Sequence, residues 1–179
     1  MQRFILTGTP GCGKTTIIHA LAALGHAVVP EAATDVIAEQ HARGIAEPHT
    51  HPGFTDSIVA VQRARQLAAA DATGAVQFFD RSPVCTHALA VHLGHSIGST
   101  LAAELARIEA EGVYQRRVAF IDNLGFVEPT AARRISFEDS LAFERVHKAS
   151  YRAFGYELIR IPAAPVDERV RRVLAIALG

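Results

Sequence analysis

The sequence predicts an α/β fold in which a five-stranded parallel sheet lies between two layers of helices. Short, continuously apolar runs alternate with longer segments whose apolar residues recur at helical spacing, a pattern typical of a parallel sheet covered on both faces. A glycine-rich turn joins the first apolar run to the first helical segment, as in folds that bind ligands at the carboxyl edge of such a sheet. The 179 residues, 49% of them hydrophobic, predict a single domain over 1–179.

The elements follow one another in a regular order along the chain. The predicted strands are 3–7, 27–30, 76–80, 118–122 and 157–161. The predicted helices are 14–24, 33–44, 54–71, 84–93, 99–111, 137–154 and 166–178. Gly25 marks the end of the first helix, and Ser136 followed by Asp139 predicts a capping box at the start of the sixth. Two segments with proline and glycine, 45–53 and 123–135, are predicted to be loops.

The composition favours a small molecule as the partner. Eighteen basic residues balance eighteen acidic ones, which disfavours the basic surface of a protein that binds nucleic acid or an anionic membrane. The sequence shows no signal peptide and no apolar run of about 18 residues that would predict a membrane-spanning helix. Only Cys12 and Cys85 occur, and this cysteine usage predicts a reducing, cytoplasmic location. The composition leaves the oligomeric state open.

The glycine-rich turn has the spacing of a phosphate-binding loop. The motif G-x-x-x-x-G-K-[ST] is matched by Gly8, Thr9, Pro10, Gly11, Cys12, Gly13, Lys14 and Thr15. Glycines let successive backbone N–H groups point at phosphate oxygens, and the following helix adds its positive end. We expect Lys14 to reach the β- and γ-phosphates and the Thr15 hydroxyl to bind Mg²⁺. These residues, with Thr16, form the predicted site for ATP and Mg²⁺, so the fold class is a P-loop NTPase fold.

Two other strands end next to a carboxylate. Asp80 closes the strand 76–80, where an acidic residue beside the metal is expected, and Arg81 follows it as a cation for an acceptor or a phosphate. Glu31 follows the strand 27–30 at the same edge and is the candidate general base. The alternatives are that Arg81 lies in a surface turn and that Glu31 caps the next helix, where acidic residues are favoured.

Other polar residues are interpreted more simply. Gln62, Arg63 and Arg65 lie on the third predicted helix, and at least two of the three are expected to be solvated surface residues. The nine histidines show no spacing typical of metal ligands, so they are interpreted as scattered polar residues. The alternative for His49 and His51 is that they border an acceptor pocket.

The segments GTPGCGKTT, VVPEAA, QFFDRS, YRAFGYELIRIP and VDERV together resemble the small P-loop "AAA domain" kinase-like family. That family is similar to the ribosylnicotinamide kinase domain of NadR proteins and, more distantly, to deoxynucleoside kinases. The resemblance covers nearly the whole chain. It implies a kinase-like fold with a short lid at about 123–136, in which Arg133 and Arg134 contact the transferring phosphoryl group. Otherwise these two arginines are solvated charges at a helix start.

The resemblance also implies that the backbone at 161–166 borders the adenine ring. Arg169 would then either stack nearby or lie on the helix surface. Similar kinases also use the third predicted helix, which carries Gln62, Arg63 and Arg65, to bind the acceptor.

The function predicted from these features is transfer of the γ-phosphoryl group of Mg-ATP to a hydroxyl of a small metabolite, with a nucleoside-like acceptor favoured. The alternative is a regulatory ATPase or nucleotide-dependent switch that a protein partner reads. An ATPase acting on nucleic acid is disfavoured by the neutral charge. The kinase leads because Glu31, Asp80 and Arg81 supply chemistry on the acceptor side that a switch does not need.

Overall fold

The structure is a computed structural model that describes residues 1–71, 74–125 and 136–179. Within these ranges, five strands alternate with seven α-helices. The strands are β1 (Gln2–Thr7), β2 (Ala27–Val29), β3 (Val76–Asp80), β4 (Arg117–Ile121) and β5 (Glu157–Ile161). The helices are α1 (Lys14–Ala23), α2 (Ala33–Ala42), α3 (Phe54–Ala68), α4 (Pro83–His92), α5 (Ser99–Ala110), α6 (Phe137–Ala153) and α7 (Val166–Leu178). Short 3₁₀ turns occupy Pro48–Thr50 and Ala69–Asp71.

The strands form one parallel sheet in the order β2-β3-β1-β4-β5. Side chains along β1 alternate between the two faces, because Ile5 packs in one core cluster while Phe4 and Leu6 pack in the other. Helices α1 and α7 cover one face, and α3 to α6 contribute to the core on the other face. The three-layer α/β prediction is therefore confirmed, with β1 central between β3 and β4.

The predicted elements are all present, and their ends differ by a few residues for identifiable reasons. Strand β2 stops at Val29 because Pro30 has no N–H to donate to the sheet. Helix α2 ends at Ala42, two residues before Gly44 turns left-handed at φ 83°, as is common after a helix. The predicted capping box is confirmed, since the Asp139 backbone N–H donates to Ser136 Oγ at 3.0 Å.

Two further observations concern loops and length. The segment 45–53, predicted to be a loop, contains the 3₁₀ turn Pro48–Thr50. Among the described residues, every helix falls short of the length and hydropathy that a membrane crossing requires.

Candidate functional site

The loop between β1 and α1 closes tightly because three of its residues are glycines with positive φ. Gly8, Gly11 and Gly13 have φ values of 144°, 82° and 78°. A Cβ atom on Gly8 would lie 2.5 Å from the carbonyl oxygen of Ile121, so this position accepts no side chain without a shift of β4. The positive φ values thus favour glycine at all three positions, and steric contact with β4 requires it at Gly8.

Lys14 lies against the loop that precedes it. Its side chain is buried, and Nζ donates to the carbonyl oxygens of Gly8 at 3.1 Å and Thr9 at 3.4 Å. Thr15 and Thr16 are exposed in the first turn of α1. The loop therefore presents a cation, two hydroxyls and the N-terminus of a helix together, which is a charge arrangement suited to a polyphosphate.

Asp80 lies at the end of β3, in register with Leu6 of β1. Its Oδ1 is buried and has no hydrogen-bond partner among the described residues. Burial raises the pKa of this carboxyl, and the charge of Glu31 adds to the shift although Lys14 opposes it. Carboxylate and hydroxyl oxygens are the ligands that Mg²⁺ prefers, usually one or two from the protein and the rest from phosphates and water. Asp80 and Thr15 therefore fit a magnesium site.

Glu31 and Arg81 form an ion pair at the carboxyl edge of the sheet. Arg81 Nε lies 2.5 Å from Glu31 Oε1, and the Thr34 hydroxyl donates to Glu31 Oε2 at 3.2 Å. Burial alone would raise the pKa of Glu31, but the charges of Arg81 and Lys14 together with the Thr34 hydrogen bond outweigh it and lower the pKa. Glu31 is therefore a carboxylate at neutral pH. Its interpretation as a simple helix cap does not account for the contact with Arg81.

Arg81 adopts an unusual backbone conformation. It has a φ of 76° and is the only residue other than glycine with positive φ in the described chain. This region costs an L-residue about 1–2 kcal/mol. Its backbone N–H donates to the Leu6 carbonyl at 2.9 Å, and Nη1 donates to Cys85 Sγ at 2.9 Å. The side chain is 10% exposed, so the alternative of a surface turn is wrong.

A cavity of about 550 Å³ opens beside this ion pair. Glu31 and Arg81 lie in its lining together with Pro10 of the phosphate-binding loop, so the loop and the cavity adjoin. Helices α2, α3, α4 and α6 supply apolar walls, which include Ile37, Phe54, Ile58, Leu89 and Phe143. The volume falls within the range of about 300–1,000 Å³ that is usual for small-molecule pockets.

Two of the three polar residues of α3 that the sequence analysis considered together, Gln62 and Arg65, contribute to this site. The Thr86 hydroxyl donates to Gln62 Oε1 at 2.9 Å, which leaves the Gln62 amide nitrogen to donate to a ligand in the cavity. Arg65 Nη1 donates to the carbonyl oxygens of Pro30, at 3.1 Å, and Glu31. Arg63 has a half-exposed side chain, whereas Gln62 and Arg65 are partly buried, so the prediction that at least two of the three are solvated surface residues is wrong.

Histidines also contribute to the cavity. The lining includes His41, His49 and His92, so the alternative of a position beside a pocket agrees with the structure for His49, whereas the lining does not include His51. Within the described residues, no cluster of three or more potential ligands could hold a metal ion.

Side chains of α6 contact residues at the end of β1 and just after β3. His147 is fully buried, and its Nε2 lies 2.6 Å from Thr7 Oγ1, one residue before the phosphate-binding loop. Its ring stacks on Tyr151 at 5.4 Å, and the Tyr151 hydroxyl lies 2.8 Å from Ser82 Oγ. Burial, with the charges of Arg81 and Lys14, holds the pKa of His147 well below its usual value. This pair was not predicted from the sequence, although 147 and 151 share one face of the helix.

Arg169 of α7 contacts the phosphate-binding loop, and a position near the adenine ring stays a prediction. The residue is 2% exposed, and Nη2 donates to the carbonyl oxygen of Cys12 in the phosphate-binding loop. A helix-surface position is therefore wrong. Arg133 and Arg134 lie outside the described residues, so their contacts, and the lid at about 123–136, stay predictions.

These features define the chain as a P-loop protein with a kinase-type fold. A family model described as "AAA domain" matches residues 3–169, and the chain belongs to that family. It is similar to a solved deoxyadenosine kinase from M. mycoides with bound dATP, at 11% identity and a TM-score of 0.58, over 99% of this chain and 100% of that one. A second structure of that enzyme, with the products dCMP and a flexible dCDP, matches at 15% identity and a TM-score of 0.59, over 97% of each chain.

The two structural matches confirm the predicted fold and its likeness to deoxynucleoside kinases. No protein of curated function matches the chain in sequence. The resemblance to the ribosylnicotinamide kinase domain of NadR proteins stays a prediction.

Proposed function

We propose that this protein is a kinase that transfers the γ-phosphoryl group of Mg-ATP to a hydroxyl group of a nucleoside-like metabolite. The observation that carries the proposal is the Glu31–Arg81 ion pair, which lies at the cavity lining beside Pro10 of the phosphate-binding loop. A carboxylate and a cation thus lie where the phosphate-binding loop and the cavity adjoin, which is where a phosphoryl group would pass from ATP to the acceptor. A nucleotide switch has no need of either group in a cavity.

The charge of Glu31 favours a hydroxyl over a phosphate as the acceptor. Its pKa is lowered, so an incoming phosphate dianion would meet a fixed negative charge at close range. A neutral hydroxyl instead gains a hydrogen-bond acceptor and a destination for its proton. Glu31 therefore suits an alcohol acceptor, such as a sugar hydroxyl.

The shape and lining of the cavity favour a nucleoside-like acceptor. Its apolar walls, including Phe54, Ile58 and Phe143, suit a flat ring, and Gln62 offers an amide N–H to a ring oxygen or nitrogen. The fold likeness to a deoxyadenosine kinase supports the same class of acceptor.

The proposed reaction divides its roles among five residues. The acceptor oxygen attacks the γ-phosphorus, the bond from that phosphorus to the β–γ bridging oxygen breaks, and ADP leaves. Glu31 accepts the hydroxyl proton, while Arg81 and Lys14 stabilise the charge on the phosphoryl oxygens and the leaving group. Asp80 and Thr15 would hold Mg²⁺, which neutralises phosphate charge when bound.

The test is ADP release from Mg-ATP by the purified protein, alone and with separate pools of nucleosides, sugars and other small alcohols. We expect the nucleoside pool to stimulate ADP release and a phosphorylated nucleoside to appear in equal amount. If another pool stimulated ADP release instead, the acceptor would belong to that class of compound and not to the nucleosides. Slow hydrolysis that is indifferent to every pool would overturn the kinase and favour a regulatory ATPase.

A further inference from the structure

Arg169 introduces a buried positive charge beneath the phosphate-binding loop. Its guanidinium packs so closely on Gly13 that a Cβ atom there would lie 2.9 Å from Nη1. Nη2 donates to the Cys12 carbonyl, and Nε is buried without a hydrogen-bond partner among the described residues. The side chain therefore ties α7 to the turn at which α1 begins.

The charge of Arg169 has no acidic partner in the described parts of the chain. Burial lowers the pKa of Arg169 and is the largest influence on it, while Cys12 and Asp122 act in the opposite direction. The Asp122 carboxylate forms its own ion pair with Arg160 at 2.6 Å. The N-terminus of α1, with its partial positive charge, lies beside the same guanidinium. An unpaired buried cation next to another positive centre is unfavourable.

Lys14, on the same loop, is in a different situation. The charges of Glu31 and Asp80 interact with it: the Lys14 charge helps to lower the pKa of Glu31 and opposes the rise that burial causes in the pKa of Asp80. Arg169 and the α1 terminus therefore form the uncompensated part of the loop's positive charge.

We propose that Arg169 is a positioning residue of the donor site, whose charge is balanced only when the polyphosphate of a nucleotide occupies the loop. The inference rests on the proposed nucleotide binding and adds a residue to it. Because Arg169 is buried, it acts through the Cys12–Gly13 turn and through its field rather than by touching the reacting atoms. Binding of the polyphosphate and docking of α7 onto the loop are therefore coupled, and each strengthens the other.

The test separates charge from hydrogen bonding with two variants. Arg169→Gln keeps an N–H donor for the Cys12 carbonyl but removes the charge, whereas Arg169→Lys keeps the charge. Calorimetry with ADP and with inorganic tripolyphosphate is expected to show about tenfold weaker binding to Arg169→Gln. Arg169→Lys should lie between that variant and the wild type. Adenosine, which has no phosphate, should bind the wild type and both variants alike.

The KM for ATP and a control variant on the same helix distinguish a role in nucleotide binding from a general effect on α7. Arg169→Gln should raise the KM for ATP while kcat at saturating ATP stays close to that of the wild type. Arg172→Gln, on the same helix in an exposed ion pair with Glu168, should change neither binding nor KM.

Two results would overturn the inference. One is unchanged tripolyphosphate binding by Arg169→Gln, and the other is an equal loss in the Gln and Lys variants together with a lower melting temperature of the free protein. In both cases nucleotide binding by the wild type would leave the proposed function standing. A wild-type protein that binds neither ADP nor tripolyphosphate would overturn the proposed function as well.

Discussion

The ends of strands β1 to β3 and the two helices α6 and α7 contribute to one site in opposite ways. At the strand ends and at the start of α1, Lys14, Glu31, Asp80 and Arg81 set cations beside anions, and two of the four lie in the cavity lining. Helices α6 and α7 contribute fully buried side chains, such as His147, whose polar atoms contact residues at the strand ends. In the proposed reaction, the charged groups that act on the substrates thus come from one part of the chain and the buried groups that position them come from another.

This difference has a measurable consequence. Strand-end variants should lower turnover while the free energy of unfolding stays nearly constant. Variants of the buried helix residues should lower stability or ligand affinity and leave kcat almost unchanged. The predictions below test that separation.

The largest expected effect is that of Lys14→Ala. Removal of this cation should lower phosphoryl transfer by about a thousandfold or more, because charge on the phosphates loses a preorganised donor. The measurement is ADP release with the stimulating acceptor, with circular dichroism as a check on folding. The matched control is Lys148→Ala, since Lys148 is the other lysine of the chain and pairs with Glu144 on α6. Equal activity of the two variants would contradict the role of Lys14.

Glu31→Gln is expected to lower kcat by about a hundredfold, the usual contribution of a general base, with little change in the affinity for ATP. Because the pKa of Glu31 is lowered, the wild type should lose activity through this group only as the pH falls below the ordinary carboxyl range. The control is Glu47→Gln, at another part of the cavity lining. A kcat within a few-fold of the wild type would return Glu31 to a structural role.

Tyr151→Phe tests the helix side of the comparison. The substitution leaves the buried Ser82 hydroxyl without its partner at 2.8 Å, so the free energy of unfolding should fall by about 1–2 kcal/mol. Urea denaturation measures the loss, and kcat should stay near that of the wild type. The control is Tyr156→Phe. The pKa of Tyr156 is shifted by burial and nearby charges and not by a side-chain hydrogen bond, so the loss of unfolding free energy in this variant should be smaller. A collapse of kcat in Tyr151→Phe would break the proposed separation.

The smallest effect is a pH dependence of stability. His147 has a folded-state pKa well below its usual value, so its contribution is complete above the unfolded pKa of about 6.5 and is lost as the pH falls below it. Between about pH 7.5 and about pH 5.5, the wild type should lose about 1.4 kcal/mol more than His147→Gln. Urea denaturation at both values measures the difference, and His19→Gln on the exposed face of α1 should follow the wild type.

The sequence predicted the sheet, the helices and the strand-end residues because each leaves a local pattern. A carboxylate that directly follows an apolar strand, such as Asp80, can be placed at the edge of the sheet without knowledge of any contact. Arg169 and Gln62 could not be placed in this way, because a residue on a helix gains its role from packing between elements far apart in the chain. The left-handed backbone of Arg81 was also hidden, since only tertiary contacts hold a non-glycine residue there.

At position 81, the left-handed backbone sets stability against the proposed function. Glycine adopts the left-handed conformation without the penalty of about 1–2 kcal/mol that arginine bears. A lineage in which transfer no longer matters is therefore expected to exchange this arginine for glycine early and to gain stability by doing so. Relatives that keep the phosphate-binding loop but carry glycine after the β3 carboxylate are then expected to bind nucleotides without transferring phosphate. The residue at this one position is thus expected to distinguish relatives that transfer phosphate from relatives that only bind nucleotides.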